Sequence, residues 1–276
     1  MFDAGSRSEA LQPRARGRVE VAVARRRGAS RLARLGAAGS ARCLVPRVPG
    51  RVEAVLVNTA GGITGGDRFD WRAEAQENAA LTVTTQAAER IYRAEAGQIA
   101  WVRTRLTLGP GASLAWLPQE TILFDRGALE RRLEVEMAPD ARLTALEPLV
   151  LGRAAMGETV RAAHLVDHWR IRRDGRLVYA DTLRLSGPVA EITARLATWG
   201  GHRAGASLLH VAPDAGDRVD AVRASLADHT AVEGGASAWD GMLAIRLLAP
   251  DGHTLRRAIL ALLPRLGAVP PRPWTM

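Results

Sequence analysis

The chain has 276 residues, 47% of them hydrophobic, which is enough to bury a sizeable core. Its formal net charge of +9 is local, because residues 1–50 hold eleven arginines against three acidic residues and the remainder is nearly neutral. The single cysteine, Cys43, excludes an internal disulfide and a CxxC metal site, and we expect it to be a half-buried small residue.

The sequence contains no apolar run of the roughly 18 to 20 residues that a membrane-spanning helix needs, and no apolar signal core at its start. These features predict a cytoplasmic protein without a membrane partner. The arginine-rich first segment has almost no aromatic residues between its arginines, so it lacks the stacking platform of single-strand or RNA binders. An acidic protein partner suits this basic face at least as well as a nucleic acid does.

Strands are predicted at residues 18–23 and 53–59, and a glycine-rich loop, NTAGGITGGD, follows at 58–67. The loop has neither the lysine of a P-loop nor a following helix, so we do not expect it to bind a phosphate. Its two GG pairs provide positive φ angles and room for close backbone approach. Two interpretations remain open: the loop places the Asp67 carboxylate for a function, or it forms a buried turn.

Residues 69–86, 102–119 and 131–148 repeat one pattern, in which two alternating runs flank a short turn. Aligning Ala79, Ala112 and Ala141 gives spacings of 33 and 29 residues, which are typical of a stacked supersecondary unit. We interpret the three units as β-hairpins that bury a common inner face by stacking.

Further strands are predicted at 168–173 and 242–248, and helices at 217–229 and 251–267, the last with Thr254 as a possible N-cap. The sequence therefore predicts a mainly β fold: a β-helical pile of stacked hairpins forming an elongated sheet, with a small mixed α/β part containing about two helices. We expect a single domain over 1–276, with the β body at about 18–190 and the mixed end at about 191–276.

Few side chains suggest catalysis. His164 and His168 have the i, i+4 spacing of a helical metal pair, but the neighbouring residues alternate like a strand, on which these positions lie about 13 Å apart. Glu120, Glu147 and Glu158 occur within apolar or glycine-rich stretches, where burial requires a partner or a cation. Arginines such as Arg153 and Arg90 are candidate partners for them.

Five segments, taken in order along the chain, resemble the hallmark segments of the UreD family of urease accessory proteins, called UreH in some organisms. They are NTAGGITGGDRF (58–69), TTQAAERIYRAEAG (84–97), WLPQETILFDRG (116–127), LEPLVLGRAAMGE (146–158) and PPRPWTM (270–276). The resemblance extends from about Val19 to the C-terminus.

The resemblance implies a β-helical accessory scaffold, a chaperone of metallocentre assembly with no reaction of its own. It implies association with a helical partner of the UreF type, which recruits a GTPase of the UreG type, and docking of this assembly on apo-urease. Nickel would then cross the scaffold through an internal channel, with no tightly bound cofactor. The acidic channel positions of the family correspond here to Asp67, Glu147 and Asp181.

Physical chemistry is compatible with such a path, because nickel(II) accepts oxygen and nitrogen ligands and a cargo ion must be held weakly enough to leave. Two alternatives stay open at this stage. One is a hydrolase that uses Glu120 and Glu147 as an acid and base pair. The other is a basic nucleic-acid binder that acts through residues 7–51.

Overall fold

The structure, a computed structural model, describes residues 14–275, and β-strands dominate this range. The strands are β1 Arg16–Arg26, β2 Ala29–Gly39, β3 Ala41–Leu44, β4 Arg47–Val48, β5 Arg51–Asn58, β6 Arg68–Ala75, β7 Ala80–Thr85, β8 Glu89–Ile91, β9 Ala100–Leu108, β10 Ser113–Trp116, β11 Thr121–Leu123, β12 Ala128–Met137, β13 Arg142–Leu151, β14 Ala163–Arg173, β15 Arg176–Gly187, β16 Ala204–Val211, β17 Glu233–Trp239 and β18 Met242–Ala249. The α-helices are α1 Val189–Ala194, α2 Val219–Ala227 and α3 Gly252–Arg265, and single 3₁₀ turns lie at Ala154–Met156, Gly216–Arg218 and Arg272–Trp274.

The strands form two large sheets. Sheet A has the order β15-β14-β12-β9-β6-β1-β2, and sheet B has the order β17-β18-β16-β13-β10-β7-β5-β3, with the short strands β4, β8 and β11 attached to it. The middle of each sheet is parallel: β1, β6, β9, β12 and β14 in sheet A, and β5, β7, β10 and β13 in sheet B. The chain thus winds between the sheets as a β-solenoid, which confirms the predicted mainly β, β-helical fold.

The three predicted hairpins are wrong in one respect, because the two arms of each unit lie in different sheets and are not hydrogen-bonded to each other. Each arm pairs in parallel with the equivalent arm of the next unit, so that Ser113 is aligned with both Ala80 and Arg142. Alternation along each arm makes one side of that arm apolar. The turn between the two arms, which we call an arch, places their apolar sides face to face across the interior. A hairpin would instead have placed them side by side on one surface.

The predicted repeat is nevertheless present in the turns. Ala79, Ala112 and Ala141 are all buried, and each donates its backbone N–H to the carbonyl three residues earlier. The inward rows contain equivalent side chains from successive coils, such as Leu81, Leu114 and Leu143. The four predicted single strands correspond to β1, β5, β14 and β18.

Beyond the solenoid, β16, β18 and β17 continue sheet B as antiparallel strands, and α2 and α3 pack on its outer face. The two predicted helices correspond to α2, with the 3₁₀ turn before it, and to α3, while the six-residue α1 is an additional element. Thr254 is not the N-cap of α3: Asp251 is, and its side chain accepts the N–H of Thr254 at 2.8 Å. Within residues 14–275 no helix is long and apolar enough to cross a membrane.

Candidate functional site

The interior of the solenoid contains charged side chains at positions where alternation places apolar ones. Along β12, Leu129, Leu133 and Val135 face the core, and Arg131 occupies the same parity and is buried. Asp167 lies directly opposite Arg131 on the neighbouring strand β14 and is 3% exposed. An ion pair therefore lies where two coils meet.

Glu147 completes this group from sheet B. It lies in β13 and is 5% exposed, and one of its oxygens accepts the indole N–H of Trp116 at 2.8 Å. Its other oxygen lies 2.5 Å from Nη1 of Arg131, whose Nη2 lies 2.7 Å from Asp167. We call Arg131, Glu147 and Asp167 the interior triad.

The interior triad contains two carboxyl groups and one guanidinium, so one negative charge is uncompensated when both carboxyl groups are ionised. Burial raises the pKa of Glu147 to about 7, with Arg131 opposing this shift and Asp167 adding to it. Burial tends to lower the pKa of Arg131, but the two carboxylates outweigh it and keep the pKa above its usual value. The triad can thus be neutralised by a proton on Glu147 or by a cation.

Two cavities meet at the triad, and Arg131 and Glu147 line both of them. The first has a volume of about 190 Å³ and extends past Thr104 toward Asn58, Gly62 and Glu89. The second has a volume of about 290 Å³ and extends toward Asp181, Trp199 and Arg246. Glu147 and Arg131 are therefore shared by two hollow regions, one reaching the glycine loop and the other reaching β15 of sheet A and β16 and β18 of sheet B.

Glu89 is a second acidic residue that lines the first cavity, beside Glu147, and it was not predicted from the sequence. Asn58 donates to both of its oxygens, at 3.1 and 3.3 Å. Burial raises the pKa of Glu89 to about 7, and the charge of Asp67 adds to the rise, while Asn58 and Arg90 oppose it. Burial thus raises the pKa of two carboxyl groups, those of Glu89 and Glu147, within one cavity.

Asp67 is buried beneath the glycine loop, and both of its oxygens accept backbone N–H groups. Ala15 donates at 2.7 Å and Thr64 at 2.8 Å. Asp67 is not among the residues that line either cavity, and its contribution there is its charge near Glu89.

The glycines of this loop are required for different physical reasons, which the sequence did not predict. Gly61, Gly62 and Gly66 have positive φ, whereas Gly65 does not. A Cβ on Gly65 would lie 2.7 Å from the carbonyl oxygen of Gln98, so close approach is what requires this glycine.

Asp181 lies in β15 and lines the second cavity, where its carboxylate pairs with Arg246. Asp67, Glu147 and Asp181 are therefore not assembled into one ligand set. Among residues 14–275 no group of three or more His, Cys, Asp or Glu side chains could hold a metal ion together. Glu89, Glu147 and Asp181 are separate carboxylates that line the two cavities, and Asp67 lies outside both.

The other predicted carboxylates have structural partners. Glu120 is buried and accepts two bonds from Arg256, at 2.9 and 2.6 Å, and Glu158 pairs with Arg153 at 2.8 Å, as predicted. Arg90 pairs with none of the three glutamates and contacts the Tyr92 hydroxyl instead. Because Glu120 does not line the cavity of Glu147, the structure does not assemble the acid and base pair of a hydrolase.

His164 and His168 lie on strand β14, as predicted, where they contact Ser186 and Thr182 respectively. Cys43 is half-buried, and burial raises the pKa of its thiol to about 11, so the reactive thiolate is scarce at neutral pH. Of residues 7–51, the segment named for nucleic-acid binding, residues 7–13 lie outside the described range.

Comparison with known proteins gives consistent matches. The sequence profile of the family described as "UreD urease accessory protein" matches residues 15–275. Urease accessory protein UreD of Xanthobacter autotrophicus is 48% identical over 272 residues, which cover 98% of this chain and 93% of the relative. Urease accessory protein UreD of Methylobacterium sp. is 52% identical over 253 residues, covering 90% and 89%. That of Azorhizobium caulinodans is 48% identical over 265 residues, covering 95% and 97%.

Proposed function

The chain belongs to the UreD family of urease accessory proteins and so has a role in urease maturation, and from this premise we propose that it is a non-catalytic, cytoplasmic scaffold that conducts nickel(II) to apo-urease. In this proposal it acts within a hetero-oligomer that also contains UreF-type and UreG-type partners. The hollow interior is the path of the ion.

The observation that carries the proposal is the position of Glu147 between two cavities. A carboxylate that lines both hollow regions can be reached from either side by an ion moving through the interior. The uncompensated charge of the interior triad gives a divalent cation a reason to enter a space otherwise lined mainly by apolar groups.

The lining oxygen atoms suit transit better than storage. Thr104 lines the first cavity, and its Oγ1 is buried without a hydrogen-bond partner among the described residues. Asp167 of the triad lines neither cavity, but its Oδ1 is buried and unpartnered in the same sense, so oxygen acceptors are present beside the path. Nickel(II) binds oxygen ligands, and single carboxylates with water hold it more weakly than a cluster of His and Cys side chains would. We therefore assign Glu147 as a contact of the passing ion and Glu89 as an acidic group at the loop end of the path.

Asp181 and Asp67 have different parts in the proposal. Asp181 lines the second cavity, and we propose that it meets the ion there in competition with Arg246. Asp67 has both oxygens engaged by backbone N–H groups, so we propose that its charge attracts cations toward Glu89 while the side chain stays in place.

A matched pair of variants tests this function. In a cell that co-expresses urease and its accessory proteins, Glu147→Gln removes the charge between the cavities, and we expect urease activity at limiting nickel to fall by about tenfold, corresponding to ~1.4 kcal/mol of lost interaction. Glu120→Gln is the control, because Glu120 is equally buried and arginine-paired but lines neither cavity. We expect it to retain activity close to that of the unaltered chain.

Nickel content of urease and pull-down of the UreF-type partner are measured on the same samples. Loss of nickel with the complex intact supports the path. Full nickel content and activity in the Glu147→Gln variant would refute it, and an equal loss of activity in both variants with intact complexes would also contradict it, because Glu120 lines neither cavity.

A further inference from the structure

A third cavity lies on the opposite, outer face of sheet B, below the segment that follows α3. It has a volume of about 230 Å³ and shares no lining residue with the two interior cavities. Small side chains, among them Ala80 and Ser113, form its floor, and residues 266–269 cover it. The proposed nickel path makes no use of this space.

Basic side chains line the cavity, and no acidic residue is among its lining residues. They are Arg51 from β5, Arg142 from β13, His210 from β16 and Arg218 from the 3₁₀ turn before α2. Three of these side chains each retain one buried nitrogen that has no hydrogen-bond partner among the described residues: Nε of Arg51, Nε2 of His210 and Nε of Arg218. Buried polar groups without a partner are uncommon in folded proteins, so three among the residues around one cavity call for an explanation.

The two arginines are held in place through their other nitrogens. Nη2 of Arg51 donates to Glu53 at 3.0 Å and to the carbonyl of Pro270 at 3.2 Å. Nη1 of Arg218 donates to the carbonyl of Arg265 at 3.0 Å, and its Nη2 pairs with Asp214 at 2.7 Å. Because these contacts anchor the guanidinium groups, the remaining Nε–H donors are preorganised.

His210 is anchored in the same manner. It is 3% exposed, and its Nδ1 lies 3.0 Å from the hydroxyl of Thr144. When Thr144 donates that bond, Nε2 carries the ring proton and is a third donor. Burial lowers the pKa of His210 to about 4, and Arg218 and Arg142 lower it further, while Asp214 and a hydrogen bond to the Leu143 backbone oppose them, so the ring is neutral at pH 7.

We infer that this cavity binds one small oxyanion of the phosphate or sulfate class, which accepts hydrogen bonds from Arg51, His210 and Arg218. Guanidinium groups pair well with such anions, and oxygen acceptors would satisfy all three unpartnered nitrogens at once. Glu53 pairs with Arg51, and Asp214 is shared by Arg142 and Arg218, so three guanidinium groups face two carboxylates and one positive charge remains in excess.

The position of the site gives the anion a structural role. Arg51 belongs to the first coil of the solenoid, His210 to the strands added after it, and Arg218 to the start of α2. An anion that bridges the three would tie the helical part to the solenoid, so binding should raise the melting temperature of the folded chain.

The test uses inorganic phosphate and the full chain. We expect phosphate to raise the melting temperature in a saturable way that sodium chloride at matched ionic strength does not reproduce, and to move the ¹⁵N resonance of His210 Nε2. An unchanged Nε2 resonance at saturating phosphate would mean that the cavity holds only water, and the inference would fail whatever the melting temperature does.

Two substitutions of His210 distinguish the loss of the hydrogen-bond donor from an effect on the fold. In His210→Gln the amide nitrogen can reach the position of Nε2, whereas in His210→Asn it reaches only that of Nδ1. We expect the Gln variant to keep phosphate affinity within about threefold and the Asn variant to lose about tenfold, as expected for one lost donor. Equal affinities in the two variants would overturn the assignment.

Discussion

Asp67 joins three parts of the chain, two through its carboxylate and one through its backbone carbonyl. Its oxygens accept from Ala15, just before β1, and from Thr64 in the glycine loop, and its backbone carbonyl accepts from Trp101 at 2.8 Å. A carboxylate has two acceptor oxygens and an asparagine amide has one. Replacing Asp67 by Asn therefore alters both a fold contact and the charge near Glu89.

Measurements at limiting and at excess nickel distinguish the loss of the fold contact from the loss of the charge near Glu89. For Asp67→Asn we expect urease activity in a co-expressing cell to fall severalfold at limiting nickel and to recover at excess nickel, because a weaker attraction for the ion can be overcome by mass action. A loss that persists at excess nickel, together with lower recovery of the complex, would show that Asp67 only holds the loop.

Gly65→Val is the folding control for this experiment. Its side chain would collide with Gln98 and Ala94, so we expect loss of the complex at every nickel concentration. Activity close to that of the unaltered chain in Gly65→Val would contradict the close packing of the loop.

At the scale of the elements, alternation of side chains predicted the strands and their buried faces but not their partners. An arm such as β9 buries the same residues whether it pairs with the next strand in the chain or with the equivalent strand of the next coil. The fold class could therefore be predicted, and the arches could not. The spacing of Ala79, Ala112 and Ala141 did identify the stacked unit.

The candidate site was predictable in part for a related reason. Glu147 stands out because its neighbours are apolar, and Asp67 because two GG pairs precede it. Arg131 has Arg132 beside it and looks like part of a solvent face, although it shares the parity of Leu129 and Leu133. Counting parity would have identified Arg131 as buried, whereas its contact with Asp167 depends on the pairing of distant strands.

The contact between α3 and the third coil of the solenoid, which comprises β9, β10 and β11, gives a prediction at this scale. Arg256 forms a two-point ion pair with buried Glu120, and its guanidinium lies 4.9 Å from the ring centre of Trp274. We expect Arg256→Ala to lower the free energy of unfolding by about 3 kcal/mol, because it leaves a buried carboxylate without its partner.

Arg257→Ala is the matched control, since Arg257 is the next residue, is exposed and forms no salt bridge among the described residues. We expect a change within about 0.5 kcal/mol. Both values come from denaturant unfolding of the full chain. Similar losses in the two variants would show that α3 is not held to the third coil through Arg256.

For the whole molecule, a hollow interior that contains charge should make stability depend on pH. The pKa values of Glu89 and Glu147 are raised to about 7 from the usual 4.5. Between these values the folded chain keeps protons that the unfolded chain releases, so both groups make stability fall as the pH rises toward 7. His210 acts in the opposite direction between about pH 4 and 6.5, because its folded pKa is lowered.

The difference in melting temperature between the unaltered chain and the Glu147→Gln variant isolates the contribution of Glu147 to the pH dependence of stability. The glutamine of Glu147→Gln resembles the protonated glutamate side chain at every pH. We therefore expect the melting temperature of this variant, relative to that of the unaltered chain, to increase as the pH rises from 4.5 to 8. The increase should be about 2 to 4 °C for each kcal/mol that the unaltered chain loses by burying the ionised carboxylate. His210 is present in both proteins, and its contribution cancels in the difference. A difference that stays constant with pH would show that Glu147 does not hold a proton in the folded interior. An increase would show that the interior carries a charge that a proton neutralises without metal, and the same site would then bind nickel more weakly as the pH falls below 7.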